Sequence, residues 1–84
     1  MDEQKVFSDI VSILKRFARN QDALAQATVQ TTFLKDLRVN SARLIDIVIQ
    51  IQDKFGIELS DDEADKVRSI GDAVKVVRAK LGTA

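Results

Sequence analysis

Ser41-Ala42-Arg43-Leu44-Ile45-Asp46-Ile47-Val48-Ile49-Gln50-Ile51-Gln52-Asp53-Lys54-Phe55-Gly56 is the stretch from which the rest of the chain can be read. At about 100° per residue, Leu44, Ile47, Val48, Ile51 and Phe55 share one face of a helix, while Arg43, Asp46, Gln50, Asp53 and Lys54 take the polar face. Asn40 or Ser41 can serve as N-cap, and Gly56 is the residue best suited to the left-handed conformation that closes a helix. The stretch therefore predicts a helix from Ser41 to Phe55. Ile45 and Ile49 widen the apolar arc beyond the core stripe, and Ala42 joins them in an i, i+3, i+7 flank beside Asp46 and Asp53. So wide an arc is either buried on two sides or offers a docking surface. The sequence supplies both a loop to cover it and charges to rim it.

Towards the N-terminus, Val6, Ile10, Ile13, Leu14 and Phe17 recur at helical spacing among polar residues, which predicts an amphipathic helix from Glu3 to Arg19. Between Asn20 and Asn40 the periodicity weakens, and Thr28, Val29, Thr31 and Thr32 oppose a simple continuation. A structureless connection of that length is uncommon in a compact domain. Phe33, Leu34, Leu37 and Val39 are expected to pin its second half across the core, with a short helical turn at Thr32 to Asp36.

Towards the C-terminus, Ser60-Asp61-Asp62-Glu63 reads as a capping box opening a short third helix, Asp61 to Val67. A fourth helix follows from Ile70 to Leu81, with Ala73, Val74, Val77 and Leu81 towards the core and Gly82 ending it. No convincing strand pattern remains. The expectation is an all-α, four-helix bundle with one long loop between helices one and two and a short third helix, forming a single domain over residues 1–84.

Composition narrows what such a domain can do. Apolar residues make up 45% and charged residues 31%, an ordinary folded composition, and the polar start Met1-Asp2-Glu3-Gln4 is followed by no long apolar run. That predicts a cytoplasmic protein with no membrane insertion. There is no cysteine, so no disulfide, no Cys-type zinc site and no thiol of its own. There is no histidine or tyrosine either, which removes the usual acid/base groups and leaves Ser41 with nothing to activate it as a hydrolytic nucleophile. Thirteen basic and thirteen acidic residues balance, so no global field draws the chain to nucleic acid. The best-formed helix is neutral, unlike the recognition helix of a DNA binder.

The charges are nevertheless segregated. Glu58, Asp61, Asp62, Glu63 and Asp65 form an acidic knot, and Arg68 to Lys80 is a mostly basic helix. The knot lacks the spaced ligands and central glycine of a calcium loop; its carboxylates suit a helix N-terminus instead.

Ser41 sits at the positive end of its helix, where free N–H groups and the macrodipole favour a phosphate by about 0.3 to 1 kcal/mol. Taken alone, a serine there reads as a cap. The wider pattern says more. Leu37-Arg38-Val39-Asn40-Ser41-Ala42, then Asp46, then Phe55-Gly56-Ile57-Glu58-Leu59-Ser60-Asp61-Asp62-Glu63-Ala64-Asp65-Lys66-Val67, then Ile70-Gly71-Asp72-Ala73-Val74, resembles the acyl carrier protein family. The family pattern is a leader of the type Leu-Gly-hydrophobic, an Asp-Ser-Leu attachment motif, a helix ending in Phe-Gly-Ile and an acidic short helix.

The resemblance implies that Ser41 carries a covalent 4'-phosphopantetheine arm, installed from coenzyme A by a phosphopantetheinyl transferase that uses magnesium in its own site. It implies a monomeric carrier and not an enzyme: the arm's thiol holds acyl groups as thioesters, and acyl-loading and acyl-processing enzymes make and break the bonds. Family members shelter the acyl chain between helices, for which Phe33, Val48, Ile51, Val67 and Ile70 are the candidates here, although ordinary core packing accounts for the same residues. Docking falls to Asn40, Ala42, Arg43, Ile45, Asp46, Ile49 and Asp53.

Three residues depart from the motif. Asn40 replaces Asp, Ala42 replaces Leu, and Arg43 stands where an acid is common. Asn40 still caps but lacks the carboxylate, and Ala42 gives up contact area worth about 1 to 2 kcal/mol if a partner buries it. The family's usual partners read an acidic second helix, whereas this one is neutral and has Gln50 and Gln52 where acids could sit. The expectation is a carrier for a specialised lipid or secondary-metabolite pathway rather than bulk fatty acid biosynthesis. The alternative is a carrier-like interaction module that is never modified.

Overall fold

The computed structural model describes residues 2–82. Among them the chain forms five helices and no strand: α1 (Glu3–Leu14), α2 (Gln21–Ala25), α3 (Leu44–Phe55), α4 (Asp61–Asp65) and α5 (Ile70–Lys80). A 3-10 turn, Ser41–Arg43, leads into α3. The all-α bundle with a long first connection is as expected, with one helix more.

Helix α1 begins where the Asp2 carboxylate accepts from the Lys5 N–H at 2.7 Å. It buries Val6, Ile10 and Leu14 and packs mainly on α5, then on α3. It stops at Leu14, five residues short of the expected Arg19. Arg16 and Phe17 donate three residues back, to Ile13 and Leu14, and so tighten the chain out of α geometry. The Arg19 and Asn20 N–H groups then both donate to the Leu37 carbonyl, each at 3.0 Å, instead of continuing the helix. The Gln21 amide covers the freed Ala18 carbonyl at 2.7 Å.

Helix α2 lies inside the segment expected to be loop. Its signal was present in Asn20, whose side chain accepts from the Ala23 N–H at 3.0 Å, followed by good helix formers around the buried Leu24. The β-branched run begins only at Thr28, where helix has already ended.

Past α2 the connection pairs with the start of α5. Phe33 N–H donates to the Arg68 carbonyl, Ile70 N–H to Thr31, and Gly71 N–H to Val29, at 2.8 to 3.0 Å. Two N–H groups that the first turn of α5 cannot satisfy internally are thus met by backbone, while Ser69 caps Asp72 N–H from its side chain. Phe33, Leu37 and Val39 are buried as expected, but Leu34 is 48% exposed. The expected helical turn at Thr32 to Asp36 is a non-helical turn closed by side chains. Thr32 N–H and hydroxyl donate to the Asp36 carboxylate, which holds it below the usual carboxylate range.

Helix α3 buries Ile47, Val48 and Ile51 and half-buries Leu44 and Phe55, and Gly56 closes it at φ 65°. The Gln52 amide oxygen accepts from the Leu59 N–H at 2.7 Å, fixing the approach to α4. Helix α4 opens on both halves of the capping box. It ends at Asp65, two residues before Val67, because Lys66 and Val67 donate three residues back and Val67 turns into the core. Lys80 reaches Glu63 at 2.9 Å, tying α5 to α4. No described helix is long and apolar enough to cross a membrane.

Two outcomes follow. A Cβ at Gly71 would lie 2.6 Å from the Val29 carbonyl oxygen, which is itself bonded to the Gly71 N–H. Alanine gains at most about 1 kcal/mol in helix propensity, less than the strain of moving backbone. Gly71→Ala should therefore lower unfolding free energy by about 1 to 2 kcal/mol in urea titration; a neutral or stabilising result would refute this account of the contact. The Glu63 carboxyl is lowered to about 2, first by the Ser60 N–H and then by Lys80, from an ordinary 4.5. Its depressed folded value means a contribution complete above the unfolded pKa and lost as pH falls through the folded one. Wild type should exceed Glu63→Gln in stability at neutral pH, and thermal melts should show that gap closing between pH 4.5 and about 2.

Candidate functional site

The 3-10 turn that carries Ser41 is built by the residue before it. Asn40 is extended at φ −63°, ψ 128°; its side-chain oxygen accepts from the Ala42 N–H at 2.9 Å and its carbonyl from the Arg43 N–H at 2.8 Å. Of the two expected caps, Asn40 is the one used, and its three-residue return makes the first turn 3-10, so that the α-helix proper begins at Leu44 rather than Ser41. Ser41 is left exposed, its hydroxyl without a hydrogen bond among the described residues. It stands at the N-terminal, electropositive end of α3.

The flank beside it is open. Ile45 is 59% and Ile49 44% exposed, and Ala42 is exposed ahead of them. The residue 20–40 connection thus leaves uncovered the arc it was one candidate to cover: Phe33, Leu37 and Val39 enter the core, and Leu34 stays 48% exposed. Arg43 pairs with Asp46 at 3.1 Å across one turn, and Asp53 is exposed further along.

Below Ser41 a cleft of about 610 Å³ opens between α3 and the segment that joins α4 to α5. Of the residues expected to line a cavity, Phe33, Val48 and Val67 do so; Ile51 and Ile70 are fully buried in the core and lie off it. Leu34, Leu44, Ile45 and Ala64 complete the apolar lining. The sequence could have offered Leu44 and Ile45, which follow Ser41 within one turn. Leu34 depends on the fold of the connection and had no separate signal. Lys35 and Arg68 sit on the same cleft as Ser41.

The leader into the site is strained. Leu37 and Val39 are buried at 0% and 4% exposure, and Arg38 between them is exposed at φ 56°, a left-handed conformation that favours glycine. This is the place of glycine in the leader pattern. The group of acids around α4 forms no set of three or more potential metal ligands among the described residues.

The arrangement is an accessible hydroxyl at a helix start, above an apolar cleft and beside an apolar flank, with no side chain hydrogen-bonded to it among the described residues. It fits a serine modified from outside. The fit extends to a phosphopantetheine arm: the hydroxyl is unencumbered for a phosphodiester, the helix end favours its phosphate, and the cleft has room for an apolar group.

Comparisons with known proteins agree. Residues 8–77 match the family model described as "Phosphopantetheine attachment site". The chain is 34% identical over 83 residues to the acyl carrier protein of Lactobacillus acidophilus, covering 98% of this chain and all of that one. It is 36% identical over 72 residues to that of Helicobacter acinonychis, covering 86% and 90%. Its fold is similar to solved acyl carrier proteins from Thermotoga maritima, with a TM-score of 0.78 at 28% identity over 99% of this chain and 94% of that one, and from Enterococcus faecalis, 0.76 at 27% over 95% and 99%.

The strained leader yields a prediction. A left-handed non-glycine residue costs about 1 to 2 kcal/mol, against about 0.5 to 1 kcal/mol for the added freedom of glycine in the unfolded chain. Arg38→Gly should raise stability by about 0.5 to 1 kcal/mol in denaturant titration; a loss would mean that the Arg38 side chain packs productively.

Proposed function

Because the chain belongs to the acyl carrier protein family, whose members are not enzymes and hold a covalent 4'-phosphopantetheine, we propose that Ser41 is its attachment residue. The observation that carries the assignment is the free, exposed hydroxyl at the start of α3, above the cleft. Its oxygen would form a phosphodiester with the phosphorus nearest pantetheine as the coenzyme A pyrophosphate breaks and adenosine 3',5'-bisphosphate leaves. Since the chain has no histidine, the serine proton leaves to a base of the transferase. Once attached, the arm supplies a thiol that holds an acyl group as a thioester.

The chain's own residues position and shelter. Asn40 fixes the turn that presents Ser41, and Phe33, Leu34, Leu44, Val48 and Val67 offer an apolar wall to the cargo. Ala42, Ile45 and Ile49 give partner enzymes an apolar strip. We take the chain to act as a monomeric carrier in the cytoplasm, and as one domain, the last because a single hydrophobic cluster joins α1, α2, α3 and α5. The stretch from Arg43 to Lys54 is neutral, with Arg43 and Asp46 satisfying each other, which supports service to a specialised lipid or secondary-metabolite pathway over bulk fatty acid synthesis.

Co-expression with several phosphopantetheinyl transferases followed by intact-mass measurement tests the site. Wild type should gain one phosphopantetheinyl group and Ser41→Ala none, with unchanged circular dichroism because Asn40 still caps the turn. No gain with any transferase would favour an unmodified interaction module. The pathway proposal has its own check: a general fatty acid synthase that extended this carrier as fast as a conventional acidic one would rule it out.

A further inference from the structure

Helix α4 is a thin partition with space on both sides. In front of it lies the cleft under Ser41, on which Ala64, Asp65, Val67 and Arg68 stand. Behind it, against α5, lies a groove of about 370 Å³ bordered by Glu63, Val67, Val76 and Ala79. Val67 belongs to both. Lys66, Asp72 and Lys75 also border the groove, but all three are exposed, so narrowing it brings α4 onto Val76 and Ala79 while the charged ends stay in water.

The partition is pinned at its ends and loose between them. Ahead of α4 the Leu59 N–H is held by Gln52 at 2.7 Å; beyond it Val67 is buried at 5% exposure and the Arg68 carbonyl accepts from the Phe33 N–H. From Asp61 to Asp65 no residue is buried, so packing does not lock the helix between these pins. Lys80 reaches Glu63 from α5, on the groove side. That side decides what the pair resists. A lysine stem is flexible and folds as its ends approach, so the pair opposes movement of α4 over the cleft and permits retreat towards α5.

The width of the cleft is the distance from its α3 wall, with Leu44, Ile45 and Val48, to this α4 wall. A straight acyl chain asks the cleft for length, whereas a branched one asks for width. We propose that α4 yields to bulky cargo by backing into the groove behind it, so that the carrier shelters branched acyl groups as well as straight ones, and that Val76 and Ala79 set how far it can yield. The proposal rests on the carrier reading of Ser41 and adds the class of its cargo. Close-packed interiors resist overfilling, and the groove is the spare volume that relieves this cleft of that resistance.

The test loads the apo protein, with a transferase of broad acceptance, from hexanoyl coenzyme A or from its branched isomer tert-butylacetyl coenzyme A, intact mass confirming each product. Cleavage of the thioester by hydroxylamine is then timed against the same acyl group on free pantetheine, which cancels the intrinsic reactivity of each ester. Wild type should protect both groups by at least about threefold. Val76→Phe, which fills the groove, should keep the hexanoyl protection within about twofold of wild type and bring the branched group to the rate of free pantetheine. Should that variant lose its helical circular dichroism, Ala79→Leu takes its place, with the same selective loss expected. A wild type that leaves either group unprotected, or a variant that changes both groups alike or neither, overturns the proposal, while the mass gain leaves the carrier reading standing. Absence of mass gain with both esters removes the carrier reading and the proposal together.

Discussion

Three backbone hydrogen bonds, from Phe33 to Arg68, Ile70 to Thr31 and Gly71 to Val29, hold the long connection against the entry to α5. Much else depends on them. They satisfy donors that the first turn of α5 would otherwise leave open, and they set Phe33 into the core with Leu34 on the cleft side. They also fix the segment from which Leu37 receives Arg19 and Asn20, which ends α1, and from which Val39 leads to Asn40 and Ser41. The serine is positioned by this chain of contacts as much as by α3. Gly71 is the point where the arrangement tolerates least, since the approach there is backbone to backbone.

Elements whose signals are local were legible in the sequence. The α3 stripe, the Gly56 closure and the Ser60–Glu63 capping box depend on residues within a few positions of one another, and all three stand as read. What was missed depends on distant partners. The end of α1 is decided by the Leu37 carbonyl, some twenty positions away in the chain, and the exposure of Leu34 by which neighbour in the connection enters the core. Helix α2 is the exception, a local signal masked by the β-branched residues after it. For the candidate site, Ser41 and the open flank of Ile45 and Ile49 were visible as pattern, but whether the connection covered that flank was a question of packing. The cleft lining was legible only in part because Ile51 and Val48, both apolar on the same helix, part company once α3 is seated: one faces the core and the other the cleft.

The lack of acid/base chemistry and the shape of the site are two sides of one division of labour. A carrier must offer its hydroxyl to one enzyme and its cargo to others, so nothing in the chain should compete for either. The Ser41 hydroxyl is unengaged among the described residues. Stability comes from elsewhere: the α1 and α5 packing, the capped turns, and the Lys80–Glu63 tie. The working face can change residues with little effect on the core.

Gln52 shows where the fold bears on the charge of α3. Its amide oxygen holds the Leu59 N–H at 2.7 Å, and a glutamate carboxylate would offer the same acceptor on a side chain of the same length. A carboxylate there would keep the acceptor but place a negative charge in the last turn of α3, which the helix dipole opposes by about 0.3 to 1 kcal/mol. The amide thus serves the Leu59 N–H without that cost, and the uncharged residue at this position is one that the helix itself favours.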